Sequence, residues 1–311
     1  MTASMDSRGI LFGLTALMVL ILTGPVHAAE EAPPPVLSDC RYEQGEGTSG
    51  SAAFPTDDVF RPLMADPKQP QFFAGWQAAR ARTAQTSTNI GSVGFGENFG
   101  FYTKREGCNG WQIGLLAGVF SQFNLDAPSS DLINTDFVVG VPFSWRGGNW
   151  SSRVRLYHQS SHLGDEFLLG RPGFDRVNLS FEETEAIVAY DYRWARVYAG
   201  GGYLIHRDPV FLDRLRGQWG FELRGTTVPS PILGQALDGL LITPVLGADF
   251  KALEEFKWLI NMNVVGGVEW SGLASKRRFR FLVNYYHGFG PYGQFFAQKI
   301  ETVGFGLYLA F

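Results

Sequence analysis

Alternation constrains this chain more than any other feature. From Gln71 onward, residues switch between apolar and small or polar with period two, the repeat of a β-strand whose successive side chains point to opposite faces. Phe137, Val139, Val141, Phe143 and Trp145 share one parity, against Asp136, Gly140, Ser144 and Arg146. Phe279, Phe281, Val283 and Tyr285 alternate with Arg278, Arg280 and Asn284. Val303, Phe305, Leu307, Leu309 and Phe311 alternate with Thr302, Gly304, Gly306 and Ala310. About twelve such runs follow one another, near 71–80, 89–105, 110–122, 132–145, 150–161, 177–192, 195–206, 218–225, 240–250, 258–269, 277–287 and 298–311. Pro142 would cost a ladder hydrogen bond in mid-sheet and is expected near a rim.

Connection lengths select the architecture. Arg146-Gly-Gly-Asn149 and Arg193-Trp194 are tight, whereas 162–176, 207–217 and 288–297 are long. Only the 226–239 connection is long where a short turn is expected. Short turns at one end and long loops at the other is the asymmetry of an outer-membrane barrel. The composition agrees: Gly 38, aromatics 14%, charged residues 18%. A net charge of −4 gives no signal for nucleic acid. The expected fold is therefore all-β, a transmembrane antiparallel β-barrel of about twelve strands spanning 71–311, in preference to a soluble β-sandwich. Its first and last strands should pair, because an open backbone edge is too costly in lipid.

Two regions precede the barrel. Residues 1–28 read as a signal peptide, with the uncharged run Ile10–Thr23, then Gly24-Pro25 and small residues at Val26-His27-Ala28. Residues 29–70, with Pro33-Pro34-Pro35, a Gly/Ser stretch at 44–51 and Pro55, Pro62, Pro67 and Pro70, read as an irregular N-terminal periplasmic extension. An exported barrel of this kind belongs in the outer membrane of a Gram-negative bacterium, among outer-membrane lipids and lipopolysaccharide. Cys40 in the extension and Cys108 in a short connection would share one oxidising compartment and are expected to form a disulfide.

Parity also sorts the charges. Arg153 and Arg155 fall on the inward face, where they would meet Glu183, Glu185 and Asp191, with Arg278 and Arg280 elsewhere in the lumen. Mixed signs suit a lumen filled by ion pairs better than an ion-selective constriction.

The stretch Val154-Arg-Leu-Tyr-His-Gln-Ser-Ser-His-Leu-Gly-Asp-Glu-Phe167 carries the candidate chemistry. Val154, Leu156, His158 and Ser160 share the outward, apolar parity. An imidazole two residues from a serine on one face of a strand can act as its general base. On the next run Ala186, Val188 and Tyr190 mark the outward face, whose parity includes Asn178, Ser180 and Glu182, so Glu182 could orient the ring as the acid of a triad does. The alternative is a polar girdle at headgroup level. His162, Asp165 and Glu166 are a candidate divalent-cation site for Ca²⁺, against a solvated loop capping the strand. No other cofactor is expected.

Three resemblances follow from these residues. Val303-Gly-Phe-Gly-Leu-Tyr-Leu-Ala-Phe311 resembles the C-terminal strand of outer-membrane proteins, which implies recognition by their assembly machinery. Tyr157–Phe167, with Arg176-Val-Asn-Leu-Ser180, Gly200-Gly-Gly-Tyr203 and Tyr292-Gly-Gln-Phe-Phe296, resembles an uncharacterised bacterial family catalogued as a domain of unknown function. His158-Gln159-Ser160 is similar to the His-x-Ser of outer-membrane phospholipase A and the lipid A deacylases, barrels whose catalytic pair faces the bilayer. Those enzymes have Asn after the serine, where this chain has Ser161, and an orienting residue a dozen positions on, where it has Pro172. Two functional classes are thus carried forward. The first is a barrel without enzymatic activity, an envelope component or narrow pore. The second is a lipid acyl hydrolase using Ser160, His158 and Glu182.

Overall fold

Each of the twelve runs forms a strand. The computed structural model describes residues 49–81, 87–171, 173, 174, 176–231, 239–272 and 277–310. Residues 1–28, Cys40 and Phe311 lie outside them. The strands are β1 (Gly50–Ala53), β2 (Phe72–Ala81), β3 (Ser87–Glu106), β4 (Asn109–Asn124), β5 (Asp131–Gly147), β6 (Trp150–Leu163), β7 (Leu179–Tyr192), β8 (Ala195–Asp208), β9 (Leu215–Arg224), β10 (Val228–Pro229), β11 (Leu240–Leu253), β12 (Ile260–Gly272), β13 (Arg278–Phe289) and β14 (Lys299–Ala310). A short helix, α1 (Asp165–Leu169), follows β6.

The fold is a closed antiparallel β-barrel. β1 lies beside β3 and β10 beside β11, and the remaining twelve strands pair in a ring that β14 closes on β2, Val303 opposite Ala78. Closure leaves no long unpaired edge, which a sheet without water on its outer side requires.

At one end, two-residue turns follow β3, β5 and β7: Gly107-Cys108, Gly148-Asn149 and Arg193-Trp194. Gly107, Gly148 and Arg193 adopt φ of 62°, 59° and 52°, the positive values that match a tight hairpin to strand twist. The connection 225–239, which carries β10, is at this turn end and stays long. At the opposite, loop end the longer segments 164–178, 209–214, 254–259 and 290–298 join the strands. Cys108 is disulfide-bonded.

Pro142 corrects one expectation. It sits within β5 rather than at a rim, where the ladder to β4 is interrupted between the pairs Ile113–Phe143 and Leu116–Gly140. The missing donor falls where the ladder is already interrupted.

The exterior is apolar: Phe137, Val139, Val141, Phe143, Val154, Leu156, Phe281, Phe305 and Leu307 all face out and are exposed. The interior is polar and filled. Arg153, Arg196, Asp191 and Glu222 are essentially inaccessible.

Part of that filling comes from an unexpected source. Residues up to 70 are expected outside the barrel, but Val59, Phe60, Leu63, Met64, Ala65 and Asp66 are buried inside it. Arg61 pairs with Asp191 at 2.8 Å, Lys251 Nζ donates to Asp66 at 2.6 Å, and Lys68 Nζ donates to Asp136 at 2.6 Å. Met64 N donates to Glu222, and Asn263 donates to Ala65 O. Phe60 lies under the guanidiniums of Arg153 and Arg196, at 5.0 and 4.6 Å from their carbons. The segment has no strand partner of its own, and the charged lumen supplies its backbone and side-chain partners instead.

Candidate active site on the outward face

β6 divides its residues strictly. Arg153, Arg155, Tyr157, Gln159 and Ser161 are buried in the lumen, while Val154, Leu156, His158, Ser160 and His162 face outward. In the ladder His158 lies opposite Val139 on β5 and Glu182 on β7, and Ser160 lies opposite Phe137 and Ser180. One side of the pair is apolar and the other polar.

The structure brings His158 and Glu182 together: Nδ1 is 2.8 Å from Glu182 Oε1. A carboxylate on Nδ1 fixes that nitrogen as the protonated one and leaves Nε2 free to accept a proton. Among the described residues no hydrogen bond joins the Ser160 hydroxyl to the ring. The two side chains share a face, and such contacts commonly tighten only when substrate is bound.

A third member was not legible in the sequence. His206 of β8 places Nδ1 2.9 Å from Glu182 Oε2. By strict alternation from Tyr198, which faces the lumen, His206 would point inward. A bulge between β7 and β8, where Glu182 pairs with His206 but Glu183 with Leu204, inserts Ile205 and turns His206 out. Three of the chain's five histidines, His158, His162 and His206, therefore share one outward patch at the loop end.

The candidate cation ligands His162, Asp165 and Glu166 are not brought together. His162 faces outward with its ring edge-on to Phe137, while Asp165 and Glu166 are exposed in the first turn of α1. Among the described residues no group of three or more His, Cys, Asp or Glu side chains is placed to hold a metal. The helical turn rotates the carboxylates away from the strand face that carries the imidazole.

Behind the outward face, the lumen braces the same strands. Arg153 and Arg155 both pair with Glu185, at 3.1 and 2.6 Å. Of their other expected partners, Glu183 instead takes Tyr157 Oη and Arg216, and Asp191 takes Arg61 and Arg146. Ser161 Oγ donates to Asp136, which also accepts Gly293 N from the 290–298 loop. Gln294 Nε2 donates to Ser161 O and Val177 O, and Phe295 packs edge-on against Phe167. A side chain at Gly202 would collide with the Glu183 carboxylate. The three stretches Tyr157–Phe167, Arg176–Ser180 and Tyr292–Phe296 thus pack around one another, and Gly200–Tyr203 lies beside β7, bracing the strand that carries Glu182.

Solved structures with this architecture include the outer membrane phospholipase of Salmonella typhi, a dimer with bound calcium. It is 12% identical over 78% of this chain and 93% of that one, with a TM-score of 0.50. Outer membrane phospholipase A from Escherichia coli matches at 12% identity over 77% and 92%, with a TM-score of 0.48. LpxR from Salmonella typhimurium matches at 10% over 77% and 100%, with a TM-score of 0.38. At such identities the likeness is one of fold alone. No curated protein matches the chain in sequence. The model of one family, described as protein of unknown function (DUF1207), matches residues 44–311, and the chain belongs to that family.

Proposed function

We propose that the protein is an outer-membrane acyl hydrolase acting on membrane lipid, with Ser160 as nucleophile, His158 as general base and Glu182 holding the ring. The observation that carries this reading is the 2.8 Å contact between His158 Nδ1 and Glu182 Oε1 on the same outward face as Ser160. With the turn end in the periplasm and the loop end outside, the pair lies at the level of the outer leaflet, where acyl esters of phospholipid or lipopolysaccharide reach it laterally. Ser160 Oγ attacks the ester carbonyl while His158 Nε2 takes its proton. The proton then passes to the departing alcohol as the tetrahedral intermediate collapses. Water, deprotonated by the same ring, frees the fatty acid from Ser160. Glu182 stabilises the imidazolium formed in each half.

The second reading, a barrel without enzymatic activity, rests on the absence of a Ser160–His158 hydrogen bond. Its packed lumen favours an envelope component over a pore.

The test is fatty-acid release by purified protein from vesicles of phospholipid and of lipopolysaccharide, with calcium and with a chelator, since the similar Salmonella phospholipase holds that ion. Hydrolysis by the wild type that disappears in Ser160→Ala, while the barrel stays folded, supports the reading. Equal release by both proteins, or by neither, rejects it.

A further inference from the structure

Glu182 Oε1 is held by His158, and its Oε2 is shielded from solvent. Next to it, 2.9 Å away, stands His206 Nδ1, on a ring that is 72% exposed. A carboxylate oxygen shielded from solvent needs a donor or a positive charge, and His206 stands where it can supply one. The bulge at Ile205 exists at this rung of the ladder and is what puts the imidazole there.

We infer that His206 is a positioning residue of the Ser160 site, a second histidine that shares the Glu182 carboxylate with the base and ties the reaction to pH. The inference rests on the Ser160 reading. With His206 neutral, its Nδ1–H side faces Oε2 and restrains the carboxylate so that Oε1 stays on His158. With His206 protonated, the imidazolium competes for the carboxylate's charge and makes His158 a poorer base. Other groups around the pair leave this role to His206. On β6 the next titratable side chain on this face is His162, four residues beyond His158. On β8 Asp208 is taken by Asn178. Arg207 turns to Val210 O, and Arg214 to Leu204 O and Ile205 O. On β5 the facing residues Phe137 and Val139 carry no charge.

The experiment has two arms. In the first, kcat and KM for lipid hydrolysis are measured for wild type, His206→Ala, His206→Gln and Ser160→Ala across roughly pH 5 to 8, where histidine titrates. His206→Ala lowers kcat by roughly ten-fold, within the hundred-fold that a misplacement of about 1 Å can cost, and leaves KM unchanged. His206→Gln, whose amide can still face Oε2, keeps most of the neutral-pH rate, but its acid limb becomes shallower than that of the wild type. In the second arm, the His158 ring is titrated by NMR in micelles in the inactive Ser160→Ala background, and adding His206→Ala moves its midpoint upward. An unchanged kcat, pH profile and His158 midpoint in the His206 variants, with Ser160→Ala inactive, overturns the role of His206 alone. Hydrolysis that survives Ser160→Ala overturns the Ser160 reading and this inference with it.

Discussion

Along β6, Arg153, Arg155, Tyr157 and Ser161 face the lumen while His158, Ser160 and His162 face outward. Each inward group ends in a fixed partner: two arginines on Glu185, a phenol on Glu183, a hydroxyl on Asp136. Outward, the chain His158–Glu182–His206 stops at a serine hydroxyl that no ring holds. The charged groups of the lumen pair mainly with one another and with the segment 57–71, which makes the lumen a scaffold. The outer face leaves His158 Nε2 and the Ser160 hydroxyl uncommitted. Substitutions inside should therefore destabilise the barrel, and substitutions in the outward polar patch should stop the chemistry without disturbing it.

The largest loss of stability is expected at Glu269, which takes Arg224, Arg278 and Arg280 at 2.7, 3.1 and 2.6 Å. Glu269→Leu removes the shared carboxylate from three guanidiniums and should cost about 3–5 kcal/mol, seen as a lower urea midpoint in vesicles and loss of the heat-modifiable band. Phe60→Ala should cost about 3 kcal/mol, since its ring fills the space between Arg153 and Arg196. If that variant is as stable as wild type, the segment is not part of the scaffold. Leu156→Arg places a charge on the apolar exterior and should cost about 2 kcal/mol. Its neighbour two residues on behaves differently: His158→Ala should change stability by no more than about 0.5 kcal/mol and abolish hydrolysis. Inside the lumen, Asp66 ties stability to pH. Burial raises its pKa, but Lys251 and Arg155 more than offset this and hold it below its ordinary value of 3.8. A depressed pKa adds stability above that value and loses it as pH falls further. The stability gap between wild type and Asp66→Asn should therefore be constant near neutrality and shrink below about pH 4.

The barrel was legible because period two runs through most of each strand, and the same parity put His158, Ser160 and Glu182 on one face. Parity counting fails wherever the ladder slips. His206 was invisible because Ile205 is an extra residue that sequence does not mark. The 57–71 segment was unreadable for another reason: it has no period at all. Its position is set by single contacts across long separations, such as Arg61 with Asp191 and Met64 with Glu222. His162, Asp165 and Glu166 are not brought together because a strand ends and a helical turn begins at Gly164.

Covalent capture of the nucleophile tests the account most directly. A long-chain alkylsulfonyl fluoride, presented in micelles to the folded protein, reacts with a serine that has an adjacent base and is reached from the apolar side. Peptide mass mapping should find the sulfonyl adduct on Ser160 in the wild type, and none there in His158→Ala. An unmodified Ser160, or equal labelling with and without His158, would contradict a lipid-facing catalytic pair.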